Sequence, residues 1–209
     1  VSELSDSDGV FAGFGRGGKR DRLVASAADL LYRNGVAATT LADVARAAQV
    51  RPGNVYYYFK TKDDLVRAVI GMQAGQAGAM LATLETLPDP AERLKALVRR
   101  WDQMRDVIAR HGCPFGTLAA EFGRLDDDLA AEADGLIRGI VEWVERQVRH
   151  LTSRDARELA IMLFAAVQGG AALSRAMRDP GVMSGQVRHL ERWIDTLAVT
   201  PPWSRGPEV

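Results

Sequence analysis

At 209 residues the chain can hold one large or two small domains with cores of their own, and 47% hydrophobic content with few β-branched runs fits a mostly helical protein. The single cysteine, Cys113, excludes an internal disulfide framework and suits a reducing compartment. The most apolar run, Ala160 to Leu173, is broken by Gln168 and two glycines and is too short to span a bilayer. The first residues are acidic and lack the apolar segment of a signal peptide, so a cytoplasmic protein with no membrane partner is expected.

The formal net charge is zero, which at first sight argues against a nucleic-acid partner. The distribution argues otherwise. Between Arg16 and Lys62 nine Lys or Arg face three Asp, a local charge of +6 that leaves −6 on the remainder. A basic amino-terminal segment on an acidic body is the footprint of one part that binds phosphate and another that does not.

Taken in order, residues Val1 to Gly18 are rich in Gly, Ser and Asp without periodicity and read as a flexible, basic-ended arm. Lys19 to Asn34 forms the first helix, with Leu23, Ala27, Leu30 and Leu31 as its inner stripe and Gly35 as its stop. Thr40 is placed to cap a second helix over Leu41 to Ala48, with Asp43 in its electropositive first turn. Leu41, Val44, Ala45 and Ala48 share its inward face. After a break at Gln49 to Arg51, Pro52 opens a short third helix. Its spacing assigns Val55, Tyr56 and Phe59 to the inside and Gly53, Asn54, Tyr57 and Tyr58 to the outside, followed by Lys60 and Lys62. Gly permits close backbone approach, Asn can pair with an adenine edge, and phenols and ammonium groups bind phosphate oxygens. The set suits a helix lying in the major groove of double-stranded DNA.

These segments resemble the DNA-binding domain of the TetR family of bacterial transcription regulators. The resemblance lies in AADLLYRNG at the end of the first helix, TTLADVA opening the second, VRPGNVYYYF as recognition helix and KTKDDL starting the fourth. It implies an all-α fold, with a three-helix helix-turn-helix domain over residues 19–65 and a larger helical ligand-binding and dimerisation domain over 66–199, about nine helices in all. Carried over by position, Thr40, Gly53, Asn54, Tyr57, Tyr58, Lys60 and Lys62 would form the DNA-contacting set, to which Arg51 and Pro52 at the start of the recognition helix are added. Two residues depart from the pattern. Gln49 stands where Gly usually makes the turn, and Arg51 stands where Ser or Thr would cap the recognition helix.

Thr61 should cap a long fourth helix reaching about Leu87. Inside it Gly71, Gly75 and Gly78 each cost about 1 kcal/mol against alanine. Either a second helix packs closely on that face or the helix is soft enough to absorb movement. Asp89 and Pro90 open a helix to about His111. A Gly-Cys-Pro turn leads to a short helix over Phe115 to Phe122, and three longer helices follow to about Val199, one of them capped by Ser153. The PPW tail from Pro201 ends regular structure.

The body should supply an interface and a pocket. Leu163, Ala166, Gly170, Leu173, Leu190, Ile194 and Leu197 on the last two helices suit a four-helix interface between two copies. Trp101, Met104, Cys113, Phe115, Phe122, Trp143, Phe164 and Gln168 suit a pocket for a small hydrophobic effector. The expected function is a homodimeric repressor of a palindromic operator, released by that effector. Two alternatives are a thiol sensor working through Cys113 and a small helical enzyme with Cys113 as nucleophile. The scattered His111, His150 and His189, with no phosphate loop and no metal-ligand spacing, disfavour catalysis, and no cofactor is expected.

Overall fold

The computed structural model describes residues 17–123, 127–152 and 154–198, with the side chains of residues 127 and 198 excluded. The expected arm, the cap Ser153 and the carboxy-terminal tail therefore lie outside the described residues. Ten helices appear in the order α1 (Lys19–Asn34), α2 (Leu41–Ala47), α3 (Pro52–Tyr58), α4 (Lys62–Glu85), α5 (Pro90–Gln103), α6 (Arg105–His111), α7 (Pro114–Phe122), α8 (Asp127–Arg149), α9 (Ala156–Met177) and α10 (Pro180–Ala198). They correspond to the nine expected, because the helix from Pro90 is broken at Met104, whose backbone leaves helical geometry at φ −100°, ψ 8°. No strand occurs among the described residues.

Local chemistry accounts for the helix boundaries. Thr40 Oγ1 accepts the Asp43 N–H at 3.2 Å while the Asp43 carboxylate accepts the Thr40 N–H at 3.2 Å, a complete capping box despite the short acid. Thr61 and Asp64 repeat the arrangement at the start of α4, both bonds at 3.0 Å. Asp89 caps α5 through Ala91 N–H at 3.0 Å, and Asp155 caps α9 through the N–H groups of Arg157 and Glu158. Gln49 takes the left-handed conformation at φ +53°. The Gln49 and Val50 amides then close onto the Arg46 and Ala45 carbonyls at 3.1 and 2.9 Å, which keeps the tight helix exit without glycine.

The chain divides into two compact units, one formed by residues up to Gly75 with Thr117–Leu136 and the other by Gln76–Gly116 with residues from Ile137 onward. In the first, α1 packs on α2 and α2 on α3. Leu23, Ala27, Leu31, Val44, Ala45, Ala48, Val55 and Phe59 form its core, while Leu30 and Leu41 are only half-buried. In the second, α10 packs against α5 and α9, and α9 against α6. Its core includes Leu94, Leu97, Trp101, Ile108, Leu163, Val187, Leu190 and Ile194.

α4 takes part in both units, which divide at Gly75. Its carboxy-terminal end is clamped within the second unit by Arg93. That guanidinium donates to Leu87 O at 2.6 Å, Glu85 O at 3.1 Å and the buried Gln147 at 3.1 Å, and pairs with the Glu85 carboxylate at 3.0 Å. Among the described residues nothing packs on the glycine face: a Cβ at Gly71, Gly75 or Gly78 would meet no atom within 4 Å. α9 is long and apolar enough to pass a membrane-span test by length and composition. Its inner side, however, is the contact surface for α6 and α10.

Candidate functional site

α3 shows how a seven-residue helix divides its faces. Val55 and Phe59, four residues apart, are 1% and 2% exposed and seat the helix on its neighbours. Arg51, Pro52, Gly53, Tyr56, Tyr57 and Lys60 are exposed, Tyr57 by 77% and Tyr56 by 56%, and Asn54 and Tyr58 are half-buried. Tyr56 thus belongs to the outer face rather than the inner one expected of it. Successive residues differ by about 100° around a helix, so a strip centred on Val55 and Phe59 need not include Tyr56. The Tyr57 and Tyr58 rings meet edge to face at 5.1 Å, which orients the exposed phenol. The guanidinium of Arg20 lies 5.4 Å from the centre of the Phe59 ring, tying α1 to the end of α3.

The lysines behave differently. Lys60 stays exposed, its ammonium donating to Tyr56 O at 2.9 Å. Lys62 is half-buried and donates to the carbonyl of Val36 in the turn between α1 and α2. It supports that turn instead of standing free for phosphate. Thr40 is an exposed cap whose hydroxyl already serves α2. Its hydroxyl and amide hold the Asp43 carboxyl below its ordinary value, and the Thr61 amide and hydroxyl do the same for Asp64.

In the second unit four expected pocket residues come together. Trp101 Nε1 and Gln168 Nε2 both donate to Cys113 Sγ at 3.4 Å, and the Phe164 ring stands edge-on to Trp101 with centroids 6.5 Å apart. Cys113 is 3% exposed. A Cβ at Gly116 would lie 2.1 Å from Gln168 Oε1, so only glycine leaves room for that amide. Sequence reasoning missed Gly116, whose signal was its place one turn beyond Cys113. Trp143 is 2% exposed and its indole N–H has no acceptor. Met104 and Phe115 are half-buried, and Phe122 is buried within the first unit. Among the described residues no group of three or more His, Cys, Asp or Glu side chains is placed to hold a metal ion.

The expected interface residues are mostly spent inside the chain. Leu163, Leu190, Ile194 and Leu197 are at most 3% exposed. Gly170 is buried with Gln186 Cγ 3.0 Å from where its Cβ would stand, and Ala166 is half-buried. Gly170 meets Gln186 of α10, and the buried Leu163, Leu190, Ile194 and Leu197 serve the chain's own core, which corrects their assignment to a partner surface. Only Leu173 is exposed. It belongs to a different row, Ile161, Ala165, Gly169, Leu173 and Met177, in which every residue is exposed.

Comparison with known proteins fits this arrangement. Residues 23–69 match the family model of bacterial regulatory proteins, tetR family, and residues 90–190 match that of the tetracyclin repressor-like C-terminal domain. These two stretches make up more than two-thirds of the chain. The chain belongs to the TetR family of bacterial transcriptional regulators. An HTH-type transcriptional regulator of Mycobacterium tuberculosis is 26% identical over 198 residues, covering 90% of this TetR-family chain and 99% of its own. The regulator TtgR of Pseudomonas putida is 25% identical over 189 residues, covering 85% and 88%. A solved TetR-family regulator from Agrobacterium tumefaciens superposes with a TM-score of 0.76 at 23% identity, covering 84% of this chain and 96% of that one. The exposed face of α3 lies within the first matched stretch, and the Trp101–Cys113–Gln168 cluster within the second.

Proposed function

We propose that this TetR-family regulator is a homodimeric repressor that binds a near-palindromic operator and is released by a small, mostly apolar effector carrying hydrogen-bond acceptors. The observation that carries the DNA half is the outer face of α3, where Gly53, Tyr56, Tyr57 and Lys60 stand exposed on a helix seated by Val55 and Phe59. One short helix reads too few bases for a selective site, so two copies about one DNA turn apart, roughly 34–36 Å, are required. The exposed row from Ile161 to Met177 repeats every four residues, a ridge suited to interdigitate with its own copy. Repression is in keeping with the repressor-like description of the second matched domain.

The effector half rests on the aromatic cluster of the body and on Trp143. A buried indole N–H without an acceptor costs about 1–3 kcal/mol, which an acceptor on a bound molecule would offset. Binding that favours a body geometry with misplaced reading heads shifts the population away from DNA. A second reading is a thiol sensor, favoured by one observation: the Cys113 sulfur accepts N–H groups from both Trp101 and Gln168, so its modification would disturb both partners.

Footprinting of the purified protein on the DNA upstream of its own gene, repeated with a panel of apolar carbonyl compounds and with N-ethylmaleimide, tests these readings. A symmetric footprint lost on adding a carbonyl compound supports the main one; a maleimide response that disappears in Cys113→Ser supports the second. Lys60→Ala should lower the slope of log affinity against log salt by about 1, and Lys62→Ala should lower stability with the slope unchanged. Equal slope changes would return Lys62 to the DNA-contacting set.

A further inference from the structure

α5 and α10 pack side by side within the second unit, and a network of ion pairs crosses the seam between them. Lys95 Nζ pairs with Asp195 at 2.5 Å and with Glu92 at 3.1 Å, while Arg99 pairs with Glu191 at 2.6 Å and with Glu92 at 3.6 Å. Hydrogen bonds from Lys95 to Asp195 and then to Glu92 hold the ammonium above its ordinary value, so it stays charged although its side chain is only 14% exposed. These three carboxylates are thereby committed to two cations.

The same seam forms an open groove of about 390 Å³, lined by Lys95, Arg99, Arg188, Glu191, Arg192 and Asp195. That volume falls in the range of small-molecule sites, roughly 300–1,000 Å³. Its lining carries four cations against two carboxylates, on a chain whose residues outside Arg16 to Lys62 sum to −6. Arg188 and Arg192 are the surplus: both are exposed, and neither has an ion-pair or hydrogen-bond partner among the described residues. Four residues apart on α10 they share one face, where like charges destabilise a helix, and a concave wall concentrates the field they set up. A doubly negative group placed between them relieves the repulsion and accepts from both planar guanidinium forks.

We propose that the groove between α5 and α10 is an anion site, which takes a phosphate dianion, free or carried as a small phosphomonoester, on the guanidinium groups of Arg188 and Arg192. Glu92, Glu191 and Asp195 stay on Lys95 and Arg99, which leaves the two arginines of α10 to the incoming group. A tetrahedral dianion is selected over a monocarboxylate because it carries twice the charge and has oxygens for both forks at once. The site goes beyond the regulator reading and is independent of it, since neither the outer face of α3 nor the Trp101–Cys113–Gln168 cluster contributes a residue.

The experiment titrates the full-length protein, in chloride buffer at constant ionic strength, with inorganic phosphate, phenyl phosphate, acetate and a hexaglutamate peptide. Arginine Nε–Hε signals are followed by NMR, those of Arg188 and Arg192 being assigned by their loss in Arg188→Gln and Arg192→Gln. Both signals should move along saturating curves with at least one of the two phosphates, at an apparent Kd at least about tenfold below that for acetate. The tighter of the two phosphates tells whether the group is bound free or as an ester. At ten times that Kd the melting temperature of wild type should rise by roughly 3–6 °C more than that of the Arg188→Gln/Arg192→Gln double variant, which corrects for any general salt effect. Arg110→Gln, at an exposed position of α6 outside the groove, should keep the gain. Shifts that stay linear, that acetate reproduces at equal concentration, or a thermal gain retained in the double variant would overturn the site. Saturation by hexaglutamate but by neither phosphate would overturn it too, and would assign the groove to an acidic protein segment instead.

Discussion

Gln49 ends α2 in the left-handed region at φ +53°, a conformation that costs a side-chain-bearing residue roughly 1–2 kcal/mol. Its neighbours accept that cost because the Gln49 and Val50 amides both find carbonyls in the last turn of α2. Gln49→Gly should therefore raise stability by about 1 kcal/mol, read as a higher melting temperature with DNA binding preserved. A drop would mean that the glutamine side chain supplies a contact that outweighs the strain. The same scale explains why Tyr56 and Lys62 defeat a reading from spacing alone. Tyr56 is turned outward by a helix too short to bury more than Val55 and Phe59. Lys62 is captured by a carbonyl 26 positions earlier, a contact that no local pattern encodes. Thr40, Thr61 and Asp89, by contrast, do as their types and places require, since capping is decided within three residues.

Among the elements, α2 and α4 both begin on a Thr-Asp box, and these boxes carry a pH dependence of defined sign. Hydrogen bonds from Thr40 hold Asp43, and those from Thr61 hold Asp64, below the ordinary value of 3.8. A carboxyl whose folded value is depressed contributes stability above its unfolded value and loses it as pH falls through the folded one. The fall in melting temperature between pH 5 and pH 2 should accordingly be smaller in Asp43→Asn and Asp64→Asn than in wild type, by thermal unfolding in matched buffers. A different prediction belongs to α9. Its inner residues are consumed by α6 and α10, which leaves the ridge of Ile161, Leu173 and Met177 as its unpaired apolar side. Leu173→Asp should convert a dimer at micromolar concentration to monomers with helicity unchanged, by sedimentation equilibrium. The apolar character of α9 was legible from the sequence, but which stripe faces inward was not. Both stripes are small and apolar, and burial was settled by where α10 crosses at Gly170.

For the molecule as a whole, α4 is one of three helices, with α7 and α8, that run through both compact units, and its own division falls at Gly75. Its start is boxed by Thr61 and its end gripped by Arg93, while its three glycines have open space where a side chain would stand. Alanine at Gly71, Gly75 and Gly78 together should raise stability, by up to about 1 kcal/mol per site, and blunt effector-driven release. Denaturant unfolding checks the first effect and anisotropy the second; a loss of stability would show that another surface needs the bare backbone. The helical class, the order of elements, the caps Thr40, Thr61 and Asp89 and the basic reading head were determined by the sequence alone, because each depends on residues within a few positions of one another, whereas α9 begins on Asp155 rather than on the expected Ser153. Only the tertiary structure decided that Glu121 and Lys62 hold the peptide of Val36, that Gln168 rests on Gly116 beside Cys113, and that Leu163, Leu190 and Leu197 are core while Leu173 is exposed. Those facts depend on which distant helices cross and how closely, and periodicity within one helix carries no information about its neighbours.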